Sequence, residues 1–329
     1  MPFPIRKHLK TAAAALTVGL LATSPSQGAE GLRFSDISFG LGPARAFYGQ
    51  DKNIIFGDTG ETRLPKAVRV FKQSVGGVGA DLTSIFTFPF REPGTTVAFA
   101  AGIGALMMVD RQTTIFWQDR LEPAFDSWSL PRLFNFGPSW LSGEGQYVLA
   151  AIGGTYALGL AFNDERAQVA ALLASKAVAY SYLTSQVVLK PLFGRLRPVD
   201  NLSTFTGDPG DFTTDPFQFG NRRGIPFGSV AYGTAMPSFH FTMFFSVARI
   251  YSEVYDNYLI PYAAAGLISA ANIRGHNHWV SDMVAGAVIG TVIGNVILNE
   301  YADRRQGPAV MVAPYVQQGQ VGITFSAKF

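Results

Sequence analysis

The strongest constraint on the fold is a series of apolar segments that begins at Thr95 and ends at Leu298. Each segment is too long and too uniformly apolar for a half-buried strand, so each is predicted to be a helix. The segments are Thr95–Val109, Gly145–Asn163, Ala167–Leu189, Phe239–Tyr255, Tyr258–Ile273 and Met283–Leu298. Several have only about 16 residues, whereas a helix needs roughly 20 to cross a bilayer comfortably. The pattern predicts an all-α, six-helix bundle embedded in a membrane, with a soluble periplasmic bundle as the alternative.

The composition is poor in charge for a soluble protein. Hydrophobic residues make up 48% of the 329 residues and charged residues only 15%, which suits a chain that is at least partly embedded in a membrane. The length permits one large domain or two small ones. The chain has no cysteine, so it has no disulfide framework, and cysteine usage neither requires nor excludes export.

Residues 1–29 have the pattern of a targeting segment. Arg6, Lys7 and Lys10 precede the apolar run Thr11–Ala22, which is followed by small residues. The run is too short to span a bilayer, so it predicts a cleaved signal peptide rather than an anchor. The chain has 26 Lys and Arg against 23 Asp and Glu, and loss of the leader's cations would leave it neutral. No nucleic-acid partner is therefore expected.

Residues 30–94 form an extension ahead of the helical bundle. Leu64, Val68, Phe71 and Val75 recur there at helical spacing, opposite several cations. This spacing indicates an amphipathic helix. Such a helix either lies on a membrane surface or packs on the bundle.

The tail, residues 300–329, follows the bundle of residues 95–299 and has a different pattern. Apolar residues alternate with small or polar residues from Val321 to Phe329, and a second apolar run precedes the QQGQ sequence. The alternation predicts a β-hairpin, which we expect to pair with strands between Gly31 and Phe56.

A histidine and a carboxylate lie four residues apart in the sequence HWVSD. On a helical face His278 and Asp282 would lie one above the other, so that the carboxylate holds one imidazole nitrogen and leaves the other free to attack. The rival histidine, His276, has Val280 at the corresponding position. The spacing therefore favours His278 as the activated histidine, although a structural pair would have the same spacing.

Two further stretches carry polar groups beside apolar helices. In KPLFGRLRP, Lys190 and Arg197 occur among proline and glycine residues that discourage a continuous helix, so the two cations can converge on one anion. In AMPSFHF, Ser238 and His240 occur where an apolar helix begins, beside free backbone N–H groups. A basic rim at a helix end and a plain helix cap are the structural alternatives.

The long segment Asn201–Thr234 separates these two stretches. It is rich in Gly, Pro, Asp, Thr and Phe and shows no evident secondary structure. A connection of this length is often a lid or a binding loop. Its place between the two polar stretches predicts a lid over the site.

Together the three stretches resemble the signature of the type-2 phosphatidic acid phosphatase and vanadium haloperoxidase superfamily. That signature is a Lys, six residues and Arg-Pro; then Pro-Ser-Gly-His; then an Arg upstream of His-x-x-x-Asp. The resemblance spans roughly Thr95 to Asn299. It implies that His278 is the nucleophile that becomes a phosphohistidine, that Asp282 orients it, and that His240 protonates the leaving oxygen. The residues that it implies hold the phosphate are Lys190, Arg197, Ser238, Phe239 and Arg274.

The sequence departs from the signature at two positions. Phe239 stands where the family usually has Gly, which a helical φ allows and a positive φ would forbid. Asn272 stands where the family usually has Arg, and Arg274 is the nearest arginine. Arg274 is the expected replacement for the missing phosphate contact.

The resemblance implies a metal-independent phosphatase without a cofactor. Its expected substrate is a phosphomonoester or diphosphate, such as a phospholipid or an isoprenoid phosphate in a membrane. The expected location is the bacterial cell envelope, either in the inner membrane with a periplasm-facing site or in the periplasm. The alternatives are a lipid phosphotransferase, a vanadate-dependent haloperoxidase and a non-catalytic membrane binding protein with a decayed site.

Overall fold

The computed structural model describes residue 56, residues 60–134, 143–221, 232–271 and 277–306, and the strands at 310–317 and 320–327. They belong to one compact unit, Arg45–Phe329. The predicted leader, the strands expected between Gly31 and Phe56 (apart from Phe56 itself), and the residues Asn272, Arg274 and His276 lie outside the described residues.

The described part of the chain is mostly helical, as predicted. Its helices are α1 Arg63–Val75, α2 Val78–Arg91, α3 Pro93–Met108, α4 Asp110–Phe116, α5 Glu122–Phe125, α6 Gly145–Ala161, α7 Glu165–Tyr182, α8 Lys190–Phe193, α9 Phe239–Tyr255, α10 Leu259–Ala270 and α11 Val280–Gln306. Its strands are β1 Arg197–Pro198, β2 Phe212–Thr213, β3 Val310–Gln317 and β4 Gln320–Ala327. Two π-helical segments, Trp117–Leu121 and Leu183–Leu189, join α4 to α5 and α7 to α8.

Each predicted apolar segment corresponds to a helix, with ends that differ by a few residues. The helix α11 extends well beyond its predicted end, through Leu298 to Gln306. The amphipathic segment of the extension is α1, whereas α2 and α4 were not predicted. The bundle is therefore not limited to six helices.

The core is built on α11, which packs against α9 along a stripe of glycines. A Cβ atom at Gly286 would lie 2.5 Å from the backbone oxygen of Ser238, and one at Gly290 would lie 2.2 Å from that of Thr242. One turn further on, a Cβ at Gly294 would meet the side chain of Arg249. Only glycine permits this approach, so the two helix backbones are in direct contact.

Hydroxyl groups connect the other side of α9 to α7 and to the π-helical segment that follows α7. The hydroxyls of Ser181 and Ser246 share a hydrogen bond of 3.0 Å, and Ser185 donates to the hydroxyl of Thr242 at 3.1 Å. These side chains are fully buried, and buried hydroxyls that are paired in this way avoid the cost of desolvation. Three helices, α7, α9 and α11, thus form a closely packed centre.

The glycine contact gives a test of the packing. We expect Gly290→Ala to lower the free energy of unfolding by about 1–3 kcal/mol, because the added methyl group overlaps a backbone atom that cannot move aside. The control is Gly154→Ala, since a Cβ at this glycine of α6 has no atom within 4 Å and should stabilise the helix by about 0.5–1 kcal/mol. Thermal unfolding in detergent would measure both changes. Equal effects of the two variants would contradict the close contact.

Several helices present apolar side chains at the surface. Among the described residues, α11 is the one helix long and apolar enough to cross a membrane, with a mean hydropathy of 1.7, but 61% of that stretch is buried in the protein. The pair Pro93–Met108 and Asp110–Phe125 passes the same test only as a span bent by 69°. Large exposed side chains include Val97 and Met108 on α3 and Leu259 on α10. These findings give weak support to the predicted contact with a membrane.

The amphipathic helix α1 packs on α7 with its polar face. Lys66 is buried and donates to the carbonyl of Asn163 at 3.1 Å, and Arg69 forms an ion pair of 2.7 Å with Glu165. Of the two predicted locations for this helix, on a membrane surface or on the bundle, the structure shows the helix packed on the bundle. The apolar residues Leu64 and Phe71, by contrast, lie exposed on the outer face.

The predicted hairpin is present in the tail. Strands β3 and β4 pair antiparallel, with Gln317 opposite Gln320 at the turn and Val310 opposite Ala327 at the open end. The alternation of apolar and polar residues is the pattern of such a pair.

Candidate active site

The first turn of α11 brings His278 and Asp282 together, but not on one helical face. The helix begins at Val280, so His278 precedes it, and the carboxylate of Asp282 reaches back towards the start of the helix. One oxygen of Asp282, Oδ2, accepts the backbone N–H of Trp279 at 3.0 Å and lies 3.7 Å from Nδ1 of His278. The contact with Trp279 is that of a capping box, in which the side chain of the third helical residue accepts a hydrogen bond from the backbone N–H of the residue before the helix.

The other oxygen of Asp282 is held by an arginine that the sequence did not single out. Arg195 donates to Oδ1 of Asp282 at 2.6 Å and to Oδ2 of Asp110 at 2.7 Å. Its Nε donates to the carbonyl of Pro216 at 2.9 Å, and its guanidinium also lies 5.4 Å from the ring of Trp279. All three charged side chains are completely buried. Burying an ion costs free energy unless the ion is paired. A buried arginine between two carboxylates therefore holds both of them in place.

Asp110 and Thr114, one turn apart on α4, complete the N-terminus of α11. Asp110 accepts the backbone N–H of Ser281 at 3.0 Å, and the hydroxyl of Thr114 accepts that of Val280 at 3.2 Å. The hydroxyl of Ser281 also donates to Asp110. Free N–H groups at a helix start are thereby satisfied. As a result, α4 fixes the position of the turn that carries Asp282.

Lys190 lies just after the π-helical segment and is almost completely buried. Among the described residues, its ammonium group has no hydrogen bond or ion pair. Burial, together with the neighbouring Arg197, lowers its pKa well below the usual value, while Asp282 opposes this shift. A buried charge without a partner is costly, and a bound anion would offset that cost.

Arg197 lies close enough to Lys190 and Asp282 for electrostatic interaction with both. Burial lowers its pKa to about 10, and its Nε donates to the hydroxyl of Thr234 at 3.2 Å. The turn between the two cations depends on Gly194, which has a φ of 53° and ends α8. A Cβ there would also lie 2.8 Å from the backbone nitrogen of Asn221.

Part of the predicted lid is structured around this turn. The segment pairs with the cationic stretch through β1 and β2, with Arg197 opposite Phe212. Leu196 donates to the carbonyl of Gln218 at 3.0 Å, and Asn221 donates to that of Gly194 at 2.8 Å. The described residues of this segment therefore hydrogen-bond to the stretch that carries Arg197. Residues 222–231 lie outside the described residues, so the lid stays a prediction.

Ser238 connects α9 to the first turn of α11. Its backbone N–H donates to the carbonyl of Asp282 at 3.0 Å, which places the starts of the two helices side by side. Its hydroxyl is completely buried and makes no hydrogen bond within the described part of the chain. A buried hydroxyl of this kind is satisfied when an acceptor, such as a phosphate oxygen, binds beside it.

Phe239 and His240 follow in the first turn of α9. Phe239 is the first helical residue, and the helical backbone accommodates its side chain, as the sequence allowed. Its ring is buried, with Tyr182 at 5.8 Å and the imidazole of His240 at 5.6 Å between ring centres. His240 is only half-buried and also packs on Phe244 at 5.9 Å. The proposed acid therefore lies at the same end of the bundle as His278.

The unpaired Lys190 gives a prediction about stability. We expect Lys190→Met to raise the melting temperature, because methionine has a similar length but carries no charge that has to be buried. The expected rise is about 2–4 °C for each kcal/mol of desolvation free energy that is relieved. The unfolded chain binds the lysine proton more tightly than the folded chain does. In the wild type the free energy of unfolding therefore rises with pH until the pH reaches the usual pKa of lysine. In the variant this pH dependence should be absent.

The matched control is Lys176→Met, since Lys176 is equally buried but forms an ion pair with Asp81. This variant should lower the melting temperature. Added phosphate or vanadate should stabilise the wild type and the control but not Lys190→Met. A fall in the melting temperature of Lys190→Met, with anion stabilisation retained, would place the lysine outside the anion site.

Taken together, the described residues form a helical bundle in which a histidine–carboxylate pair lies at one end beside buried cations. Residues 168–306 match the family model of the PAP2 superfamily. The resemblance to the type-2 phosphatidic acid phosphatase superfamily is confirmed over these residues, which include the three motifs. No curated protein and no solved structure matches the chain.

Proposed function

We propose that this protein is a phosphatase that hydrolyses a phosphomonoester or diphosphate through a phosphohistidine. The match to the PAP2 superfamily supports a phosphoric ester hydrolase in general. The observation that carries the proposal is the buried ammonium of Lys190, which has no hydrogen bond or ion pair among the described residues. The same stretch places Arg197 close to Asp282, which lies beside His278. This arrangement favours a tetrahedral oxyanion next to an imidazole.

In the first chemical step, Nε2 of His278 attacks phosphorus, and the bond from phosphorus to the ester oxygen breaks. The leaving oxygen takes a proton from His240. Asp282 stabilises the positive charge that develops on the imidazole of His278. Lys190, Arg197 and the hydroxyl of Ser238 stabilise the equatorial oxygens. Burial lowers the pKa of Lys190, and a bound anion would raise that pKa back towards its usual value.

In the second step, water attacks the phosphohistidine and the bond from phosphorus to nitrogen breaks. His240, now neutral, accepts a proton from the water. The products are inorganic phosphate and either an alcohol, from a phosphomonoester, or a monophosphate, from a diphosphate, and the enzyme returns to its initial protonation state. Arg274 stays the expected replacement for the arginine that Asn272 displaces.

We further propose that the substrate is lipid-linked and that the site faces the periplasm. The exposed apolar side chains of α3 and α10 support contact with lipid. Arg304 and Arg305 lie at the far end of α11, about 35 Å from Asp282 at a rise of 1.5 Å per residue. Because cations beside a membrane span favour the cytoplasmic side, they support a cytoplasmic location for this end of α11. The site, at the other end of the helix, would then face the periplasm.

The test is release of inorganic phosphate by the purified protein in mixed micelles. The substrates are a diacylglycerol phosphate, an isoprenoid diphosphate and a water-soluble phosphomonoester, each assayed with and without a chelator. Release from the two lipids but not from the soluble ester supports the full proposal, and equal release from all three removes the lipid preference. No release from any substrate, with bromide oxidation after vanadate is added, would favour a haloperoxidase. Anion binding without either activity would favour a binding protein.

A further inference from the structure

Neither Asp110 nor Arg195 is among the predicted site residues, although Arg195 lies between Lys190 and Arg197 in the first motif. Both side chains are completely buried, and Arg195 divides its guanidinium between Asp110 at 2.7 Å and Asp282 at 2.6 Å. Asp282 in turn presents its second oxygen to His278. Two ion pairs thus lead from α4 to Asp282, whose second oxygen lies 3.7 Å from Nδ1 of His278.

We propose that Asp110 and Arg195 form a positioning pair, which fixes the Asp282 carboxylate and sets the charge that His278 experiences. This inference rests on the proposed function, in which His278 is the nucleophile. Neither Asp110 nor Arg195 is required to contact the substrate. They act on the reaction only through Asp282.

The geometry explains how the pair fixes Asp282. A carboxylate held only by the N–H of Trp279 could rotate and turn either oxygen towards the imidazole. The 2.6 Å hydrogen bond from Arg195 occupies Oδ1, so Oδ2 is the oxygen that remains beside His278. Asp110 holds Arg195 in place and at the same time caps the turn that carries Asp282.

The charges explain how the pair tunes His278. Among the described residues, the titratable groups around His278 are Asp282, Arg195 and Asp110 behind it, Lys190, Arg197, His240 at the start of α9, and Asp200, which accepts a hydrogen bond from the adjacent Asn277 at 2.6 Å. Removing the cation Arg195 leaves more negative charge near the imidazole and should favour its protonated form. Removing the anion Asp110 should have the opposite effect.

The experiment follows the protonation of His278 itself by NMR of histidine-labelled protein in detergent. The chain has four histidines, so the signal can be assigned with His278→Ala. We expect Arg195→Met to raise the titration midpoint of His278 and Asp110→Asn to lower it. Each shift should be on the order of one pH unit, as expected for a unit charge within about 10 Å in a protein interior. The double variant removes one charge of each sign and should return the midpoint close to that of the wild type.

Asp110→Asn keeps the shape of the side chain, so it provides a reading if Arg195→Met does not fold. The matched control is Arg249→Met, because Arg249 is equally buried and paired with Glu253 but lies further along α9. This control should lower the melting temperature without moving the midpoint. Shifts of the same sign in both test variants, or none in either, would overturn the positioning pair.

The titration does not require turnover, so it separates this inference from the proposed function. Absence of phosphate release by the wild type would refute the phosphatase and leave the NMR result to judge the pair. In an active protein, kcat should fall on the order of 10- to 100-fold in either variant, as when a group that orients a reacting side chain is lost. The acid limb of kcat/KM should move in the same direction as the midpoint.

Discussion

His278→Ala is expected to abolish both turnover and the trapped phosphoenzyme. In the proposed mechanism the imidazole supplies the atom that forms the covalent bond to phosphorus, and water at the same place lacks its orientation and nucleophilicity. Loss of a covalent nucleophile can cost on the order of 10⁶ in kcat. The measurement is acid-quenched labelling with a ³²P-labelled substrate, followed by the rate of phosphate release.

His276→Ala is the control, because it changes the neighbouring histidine of the same segment. It should retain labelling, although its rate can fall. Labelling that persists in His278→Ala and disappears in His276→Ala would exchange the roles of the two residues. A melting curve close to that of the wild type would show that the loss in His278→Ala is chemical.

The second large effect is expected for Asp282→Asn. The amide keeps the size of the side chain but loses the charge that stabilises the imidazolium in the transition state. For other histidine–carboxylate pairs this change lowers kcat by about 10⁴. The variant should also lose stability, since Arg195 then keeps a single carboxylate partner, Asp110, in a buried site. Steady-state kinetics and thermal unfolding measure the two effects separately.

Asp303→Asn is the matched control, because Asp303 is an exposed carboxylate near the far end of the same helix. It should change neither the rate nor the melting temperature by much. A rate for Asp282→Asn within a few-fold of the wild type would reduce Asp282 to the cap of α11. The phosphatase proposal would then need a different orienting group for His278.

Much of the fold could be predicted because its signals are local. Apolar runs predicted α3, α6, α7, α9, α10 and α11, and alternation predicted the hairpin of β3 and β4. The helix α2 was missed because it carries a proline, Pro89, in its last turn. The helix α1 was predicted as amphipathic, but its polar side faces the protein, because partners such as Glu165 neutralise its cations there.

The site was predictable where a motif confines its residues to a short segment. Lys190 and Arg197 were found in this way. Arg195 occurs in the same stretch, yet its carboxylates come from α4 and α11, more than 80 residues away in each direction. Asp110 directly follows a predicted apolar segment, and a carboxylate at such a boundary could have been suspected of capping another helix. No sequence spacing indicates which helix that is.

The glycine stripe of α11 has a consequence for how proteins with this architecture change specificity. Since the backbones of α9 and α11 are already in contact at Gly286 and Gly290, the helices that carry His240 and Asp282 cannot move closer together, and any larger residue forces them apart. Substrates of different size therefore cannot be accommodated by adjusting the bundle without misplacing the reacting groups. On the proposed function, divergence in substrate choice has to come from the segments that border the site, such as residues 212–221 beside the cationic stretch, while the bundle stays constant.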